Sequence, residues 1–201
     1  MRLELPRVLA AQGATVVYVT QDYKEAMALG DRIAVMSDGR IRQIGTPEDI
    51  YNAPADIDIA RLFGDPTINL LDVTPNAEAD GVSVLLSDVR IVLPGIPANA
   101  VGKACVLGLR PETLRFVPAG TPGAIPVTVE AETPLNEKTV TLALTVRGRE
   151  ILVSRPAGTP GPASGSAHIA VDGANAFLFD KETGALIARH GSHTGTQGEA
   201  A

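Results

Sequence analysis

The chain has 201 residues, room for one or two domains, and its 45% apolar side chains with a mean hydropathy of +0.14 are those of a globular protein. Aromatics make up 3% with no Trp, so any core must be aliphatic, and a net charge of -6 gives no general attraction to nucleic acid or an anionic membrane. Cys105 is the only cysteine, which excludes an internal disulfide or a thiolate metal cluster; no apolar run approaches the ~20 residues of a membrane span, and Met1-Arg2-Leu3-Glu4 does not open a signal peptide.

Arg2 to Gln12 sets Leu5, Val8, Leu9 and Gln12 at helical spacing with Gly13 behind them, which predicts a helix packed on the next strand. Val16-Val17-Tyr18-Val19 is a continuous run of β-formers, the pattern of a strand buried on both faces of a parallel sheet. Thr20 and Gln21 end it. Asp22 is placed to cap a helix over Lys24 to Leu29, with Glu25 reaching back to it and Gly30 as the stop. Turns of this kind are where α/β sheets present ligand groups.

Arg32 to Met36 and Ile41 to Ile44 are β-prone runs joined by Ser37-Asp38-Gly39-Arg40, whose Asp-Gly centre suits a tight hairpin. Thr46 then caps a short helix with Pro47 in its first turn, ended by Asn52-Ala53-Pro54, and Ile57 to Phe63 is a further helical segment before Gly64. One helix, one strand and one hairpin cannot enclose the core of a doubly wound sheet. The first 64 residues are therefore expected to expose apolar surface.

In order, Tyr18-Val19-Thr20-Gln21-Asp22, Glu25-Ala26-Met27, Asp31-Arg32-Ile33, Asp38-Gly39-Arg40-Ile41, Gln43-Ile44-Gly45-Thr46-Pro47 and Ile50-Tyr51-Asn52-Ala53-Pro54 resemble the end of the nucleotide-binding domain of ATP-binding-cassette importer ATPases. The likeness runs over residues 2 to about 66 and is greatest to the carbohydrate and glycerol-3-phosphate uptake branch. It implies that Gln21 stands where the family has a histidine that reaches the γ-phosphate of ATP; a glutamine donates hydrogen bonds there but carries neither charge nor proton. The family's phosphate loop, its Leu-Ser-Gly-Gly-Gln signature and its strand ending in Asp-Glu are absent from all 201 residues, so neither ATP nor Mg²⁺, the family's cofactors, is expected on this chain alone. No residue is assigned to a cofactor or a metal.

From Ile68 onward the texture changes to short β-runs between Pro, Gly, Asn and Asp: Ile68 to Val73, Val82 to Leu86, Val89 to Leu93, Ala104 to Leu109, Ile125 to Glu132, Thr139 to Val146, Glu150 to Ser154, Ala167 to Val171 and Ala176 to Phe179. Alternation places Val127, Val129 and Ala131 on one face of their strand, and sets Val140, Leu142 and Leu144 against Thr141, Ala143 and Thr145 in the next. Arg147-Gly148 supplies a hairpin turn, and the pattern argues a small barrel. Pro118 to Pro126 and Pro156 to Gly165 read as loops, His168, His190 and His193 lack metal-ligand spacing, and Ser192 to Ala201 has no apolar anchor. Arg110 and Glu112 fit a structural pair or cap at a strand end better than a ligand pair.

Two segments here, Leu107-Gly108-Leu109-Arg110-Pro111-Glu112 and Asn175 to Gly184, resemble motifs of the OB-like regulatory (TOBE) domain that follows the cassette in the same importers. The resemblance implies an α/β remnant of a nucleotide-binding domain over residues 1–66 and an all-β OB-like barrel over 67–190, α+β overall, and the missing apolar anchor predicts a disordered tail over 191–201. It further implies dimer contact and control of ATP-driven solute import, with membrane-spanning transporter subunits, a second copy and a separate nucleotide-binding half as partners, no nucleic acid, and a cytoplasmic position on the inner face of the membrane. The alternative is a small-ligand or oxyanion-sensing OB-like domain.

Overall fold

A computed structural model describes residues 15–79, 81–162 and 165–189. The helix expected over Arg2 to Gln12, the tail from Ser192, and His190 and His193 lie outside them. The chain divides into two compact units, Met1–Gly64 and Asp65–Ala201.

In the first unit, α1 (Tyr23–Leu29) is capped by Asp22, whose carboxylate accepts from the Lys24 and Glu25 amides. β1 (Ile33–Ser37) and β2 (Arg40–Gly45) form an antiparallel hairpin whose turn residues Asp38 and Gly39 have φ of 51° and 72°. These angles are the reason an Asp-Gly pair sits there. Thr46 and Asp49 form a capping box on α2 (Pro47–Asn52), and Asp56 caps α3 (Ile57–Leu62) while pairing with Arg42 at 2.6 Å. Gln43 clamps the α2–α3 connection, donating to the Ala53 carbonyl at 2.9 Å and accepting from the Ala55 amide at 2.8 Å. Ile33, Val35, Ile50, Ile59 and Phe63 make a small core, with Tyr23 edge-on to Phe63.

The strand expected at Val16 to Val19 is not formed. Val17 and Val19 are 88% and 89% exposed, because a strand of a parallel sheet needs a ladder on each side and no described strand flanks this run. With Met36, Ile41 and Ile44 also exposed, the apolar surface expected of this region is present. Glu25 likewise does not reach back to Asp22; its carboxylate is taken by Tyr18 and Thr20 instead.

Among the described residues the second unit holds three antiparallel sheets. β3 (Asn69–Val73), β7 (Cys105–Leu109), β13 (Phe177–Asp180) and β14 (Leu186–Arg189) lie in the order β14-β13-β7-β3. β8 (Arg115–Val117), β9 (Ile125–Pro134), β10 (Lys138–Thr145), β11 (Glu150–Pro156) and β12 (Gly165–Ala170) lie in the order β11-β10-β9-β12-β8. β4 (Asn76–Glu78), β5 (Gly81–Leu86) and β6 (Val89–Leu93) complete the set. All three sheets share one aliphatic core, including Leu71, Val84, Leu93, Leu107, Ile125, Ile151, Ile169 and Leu178. The chain is thus a mostly β, OB-like unit preceded by a short α/β segment.

Alternation in β9 and β10 is corrected by a bulge. Leu142 pairs with Ala131 and Ala143 with Val129, so Glu130 is the extra residue and everything beyond it changes face. Val127 is buried while Ala131 is exposed. In β10 the buried set is Thr141, Ala143 and Thr145, and the aliphatic set Val140, Leu142 and Leu144 is only half-buried. Two buried threonines are tolerable because each hydroxyl is bonded: Thr141 accepts from Arg155 at 2.7 Å and donates to Glu132 at 3.1 Å, and Thr145 accepts from the Arg149 amide at 3.1 Å.

Candidate functional site

Gln21 lies exposed in the turn before α1. The turn is built from its neighbours. Thr20 Oγ1 accepts from the Asp22 amide at 3.0 Å and donates to Glu25 Oε2 at 3.0 Å, and the Tyr18 hydroxyl donates to the same oxygen at 3.1 Å. That hydrogen bond, then the Glu25 charge, holds the Tyr18 hydroxyl above its usual pKa. Gln21 offers one carboxamide, able to donate and accept hydrogen bonds but not to transfer a proton.

The two motifs of the second unit are brought together. β7 and β13 are adjacent antiparallel strands with Phe177 opposite Gly108 and Phe179 opposite Val106. Gly108 is there for close approach: a Cβ on it would come within 2.9 Å of the Phe179 ring and 3.0 Å of Ile68. Phe177 and Phe179 stack with centroids 6.1 Å apart, and the guanidinium of Arg110, a residue only 3% exposed, covers the Phe177 ring at 5.5 Å. The Arg110 carbonyl accepts from Thr113 through both its amide and hydroxyl. Arg110 thus ends β7 and packs on β13, which is a structural use.

The NAFLFDKETG segment closes with a turn wound on one carboxylate. Asp180 Oδ1 accepts from the Thr183 amide at 2.8 Å, the Thr183 hydroxyl at 2.9 Å and the Glu182 amide at 3.0 Å, and the Thr183 bonds lower its pKa most. Burial first, then the Asp180 charge, raises the Cys105 thiol, which opposes a thiolate role. His168 is half-buried in β12, opposite Val117 and Pro126. With Phe116, Pro118, Pro160 and Pro162 it lines an open, largely apolar depression of about 440 Å³.

The sequence left Asn69 unremarked. Its carboxamide accepts from the Leu152 amide at 2.7 Å and donates to the Leu152 and Leu109 carbonyls at 2.9 and 3.0 Å. The available signal was a lone amide inside the apolar run Ile68-Asn69-Leu70-Leu71.

Comparison with known proteins bears on both units. Residues 64–114 match the MalK OB fold domain family. The sn-glycerol-3-phosphate import ATP-binding protein UgpC 1 of Rhizobium johnstonii is 42% identical over 131 residues, 65% of this chain and 35% of that protein. UgpC of Chromobacterium violaceum is 37% identical over 91% of this chain and 49% of its own length. An uncharacterized ABC transporter ATP-binding protein, y4oS of Sinorhizobium fredii, is 35% identical over 94% of this chain and 49% of its own length. The chain spans a third to about half the length of these relatives. Among solved structures, the cytoplasmic molybdate-binding protein ModG aligns with a TM-score of 0.44 at 14% identity over 55% of this chain and 94% of that one, a likeness too distant to carry an argument. Among the described residues no helix is long and apolar enough to cross a membrane. From its two runs of motifs, its OB-fold match and these relatives, the chain corresponds to the C-terminal part of an ATP-binding-cassette importer ATPase subunit, with the OB-fold domain that such subunits carry.

Proposed function

We propose that this chain is the C-terminal regulatory portion of an importer's ATP-binding subunit, supporting pairing of two copies and control of ATP-driven solute import. The observation that carries the reading is the adjacency of β7 and β13: the two segments singled out as regulatory-domain motifs are neighbouring strands of one unit, locked by Gly108 and Arg110. The relatives' names, sn-glycerol-3-phosphate import ATP-binding proteins, support solute import as the setting. Membrane-spanning subunits and a nucleotide-gripping half are the partners this role requires, on the inner face of the cell membrane. Gln21, at the position of the family's phosphate-sensing histidine, then contributes a hydrogen bond at most.

The test is enzymatic and hydrodynamic. Purified chain should hydrolyse no ATP above background, and Gln21→His should not change that, because no residue here supplies a phosphate loop. Sedimentation should show self-association. Turnover by this polypeptide, or a monomer at every concentration, would overturn the reading. Calorimetry with molybdate, tungstate, sulfate and glycerol 3-phosphate provides the opposing arm, since tight binding of any one favours the ligand-sensing alternative.

A further inference from the structure

β3 and β11 are each an outermost strand of their sheet, and among the described residues no backbone ladder joins them. Side chains do so instead. Asn69 of β3, 7% exposed, accepts from the Leu152 amide at its carboxamide oxygen and donates from its NH₂ to the Leu152 carbonyl, so one carboxamide pairs with both main-chain groups of that residue as a neighbouring strand would. Its second NH₂ hydrogen reaches the Leu109 carbonyl of β7. Near the other end of the seam, Arg149 donates to the Asp72 carbonyl at 2.8 Å. By contrast, β7 is held on both sides by ladders of four to five residue pairs.

We propose that Asn69 is a latch: the β3–β11 seam is the line along which this unit opens, and the Asn69 carboxamide sets how readily it does so. Separating two ladder-paired strands breaks a row of backbone bonds, whereas parting this seam breaks a few side-chain bonds. An open seam presents the Leu152 amide and carbonyl as free edge groups, the kind to which another strand adds.

Native-state hydrogen exchange on the full chain tests this residue by residue. The Leu152 amide should exchange faster than those of Leu107 and Ile169, which lie on central strands. Asn69→Ala should speed Leu152 exchange by on the order of tenfold relative to Ile169, and Asn69→Leu, close in size but without hydrogen bonds, should do the same. Slow Leu152 exchange restored by Asn69→Leu would reduce Asn69 to a packing residue and overturn the latch, as would equal acceleration of Leu152 and Ile169. Should both variants fail to fold, the unmodified chain still decides: an NMR coupling across the hydrogen bond from the Leu152 nitrogen to the Asn69 carboxamide carbon is expected, and its absence overturns the proposal.

Discussion

Val16 to Val19 and Val82 to Leu86 are near equals in composition, yet Val19 is 89% exposed with no ladder while Val84 is fully buried in β5. The difference lies in their surroundings. β5 has β4 and β6 on either side, with Val84 opposite Ile91, and among the described residues Val84 joins a core of twenty buried residues drawn mainly from three sheets. The described residues of the first unit gather five. Its helices and hairpin nonetheless form, because side-chain caps at Asp22, Thr46 and Asp56 and the Asp38-Gly39 turn satisfy backbone groups locally, whereas a strand of a parallel sheet borrows its partners from elsewhere in the chain. Local signals, the β1–β2 hairpin included, survive without a large core, and a β-run that needs distant partners does not.

The comparison is broken hardest at Gly173. A Cβ there would fall well inside contact with the Val92 carbonyl oxygen, and backbone on backbone has no side chain to move aside. Gly173→Ala should cost the second unit about 3 kcal/mol or more, read as a lowered denaturant midpoint by a probe placed in that unit. Next come matched cavities. Leu107→Ala removes a fully buried side chain from β7 and should cost about 3 kcal/mol, while Ile50→Ala, equally buried in the small core of the first unit, should cost about 2 because so small a cluster collapses around the gap. Equal costs would erase the distinction between the two cores.

How much was legible follows the same division. Thr46-Pro47 and Asp38-Gly39 announce the α2 cap and the β1–β2 turn because the chemistry lies within four residues. Arg147-Gly148 was legible for the same reason, with Gly148 at φ 72°. β4, β8 and β14 were missed: each is three or four residues long, and Asn76-Ala77-Glu78 is a strand only because Gly81 to Ser83 lies opposite. The Ser87-Asp88 turn, with both residues at positive φ, carries no glycine to announce it. Nor could the residue types say which face of β10 is buried, since that is decided by the Glu130 bulge and by Arg155 reaching Thr141 across the sheet. At the candidate site, the position of Gln21 was legible from its motif and its surroundings were not. Asn69 escaped because its partners at residues 109 and 152 are distant in sequence.

The smallest effect compares one local motif from each unit. Thr46 holds Asp49 below the usual carboxylate range, chiefly through its hydroxyl, and the Thr183 amide and hydroxyl do the same for Asp180. A depressed folded-state value means that stability is present above the unfolded aspartate value of about 3.9 and is lost as pH falls through the folded one. Both motifs should therefore weaken only in acid below that value. Carboxyl chemical shifts followed by NMR should place both midpoints below that of an unstructured aspartate. Thr46→Val and Thr183→Val remove the hydroxyls and should return each midpoint upward, Asp49 more completely than Asp180, which keeps the Thr183 and Glu182 amides. If the Asp49 midpoint stays depressed in Thr46→Val, the Thr46 amide alone sustains the first unit's cap, and the side-chain signal read there is weaker than the backbone one.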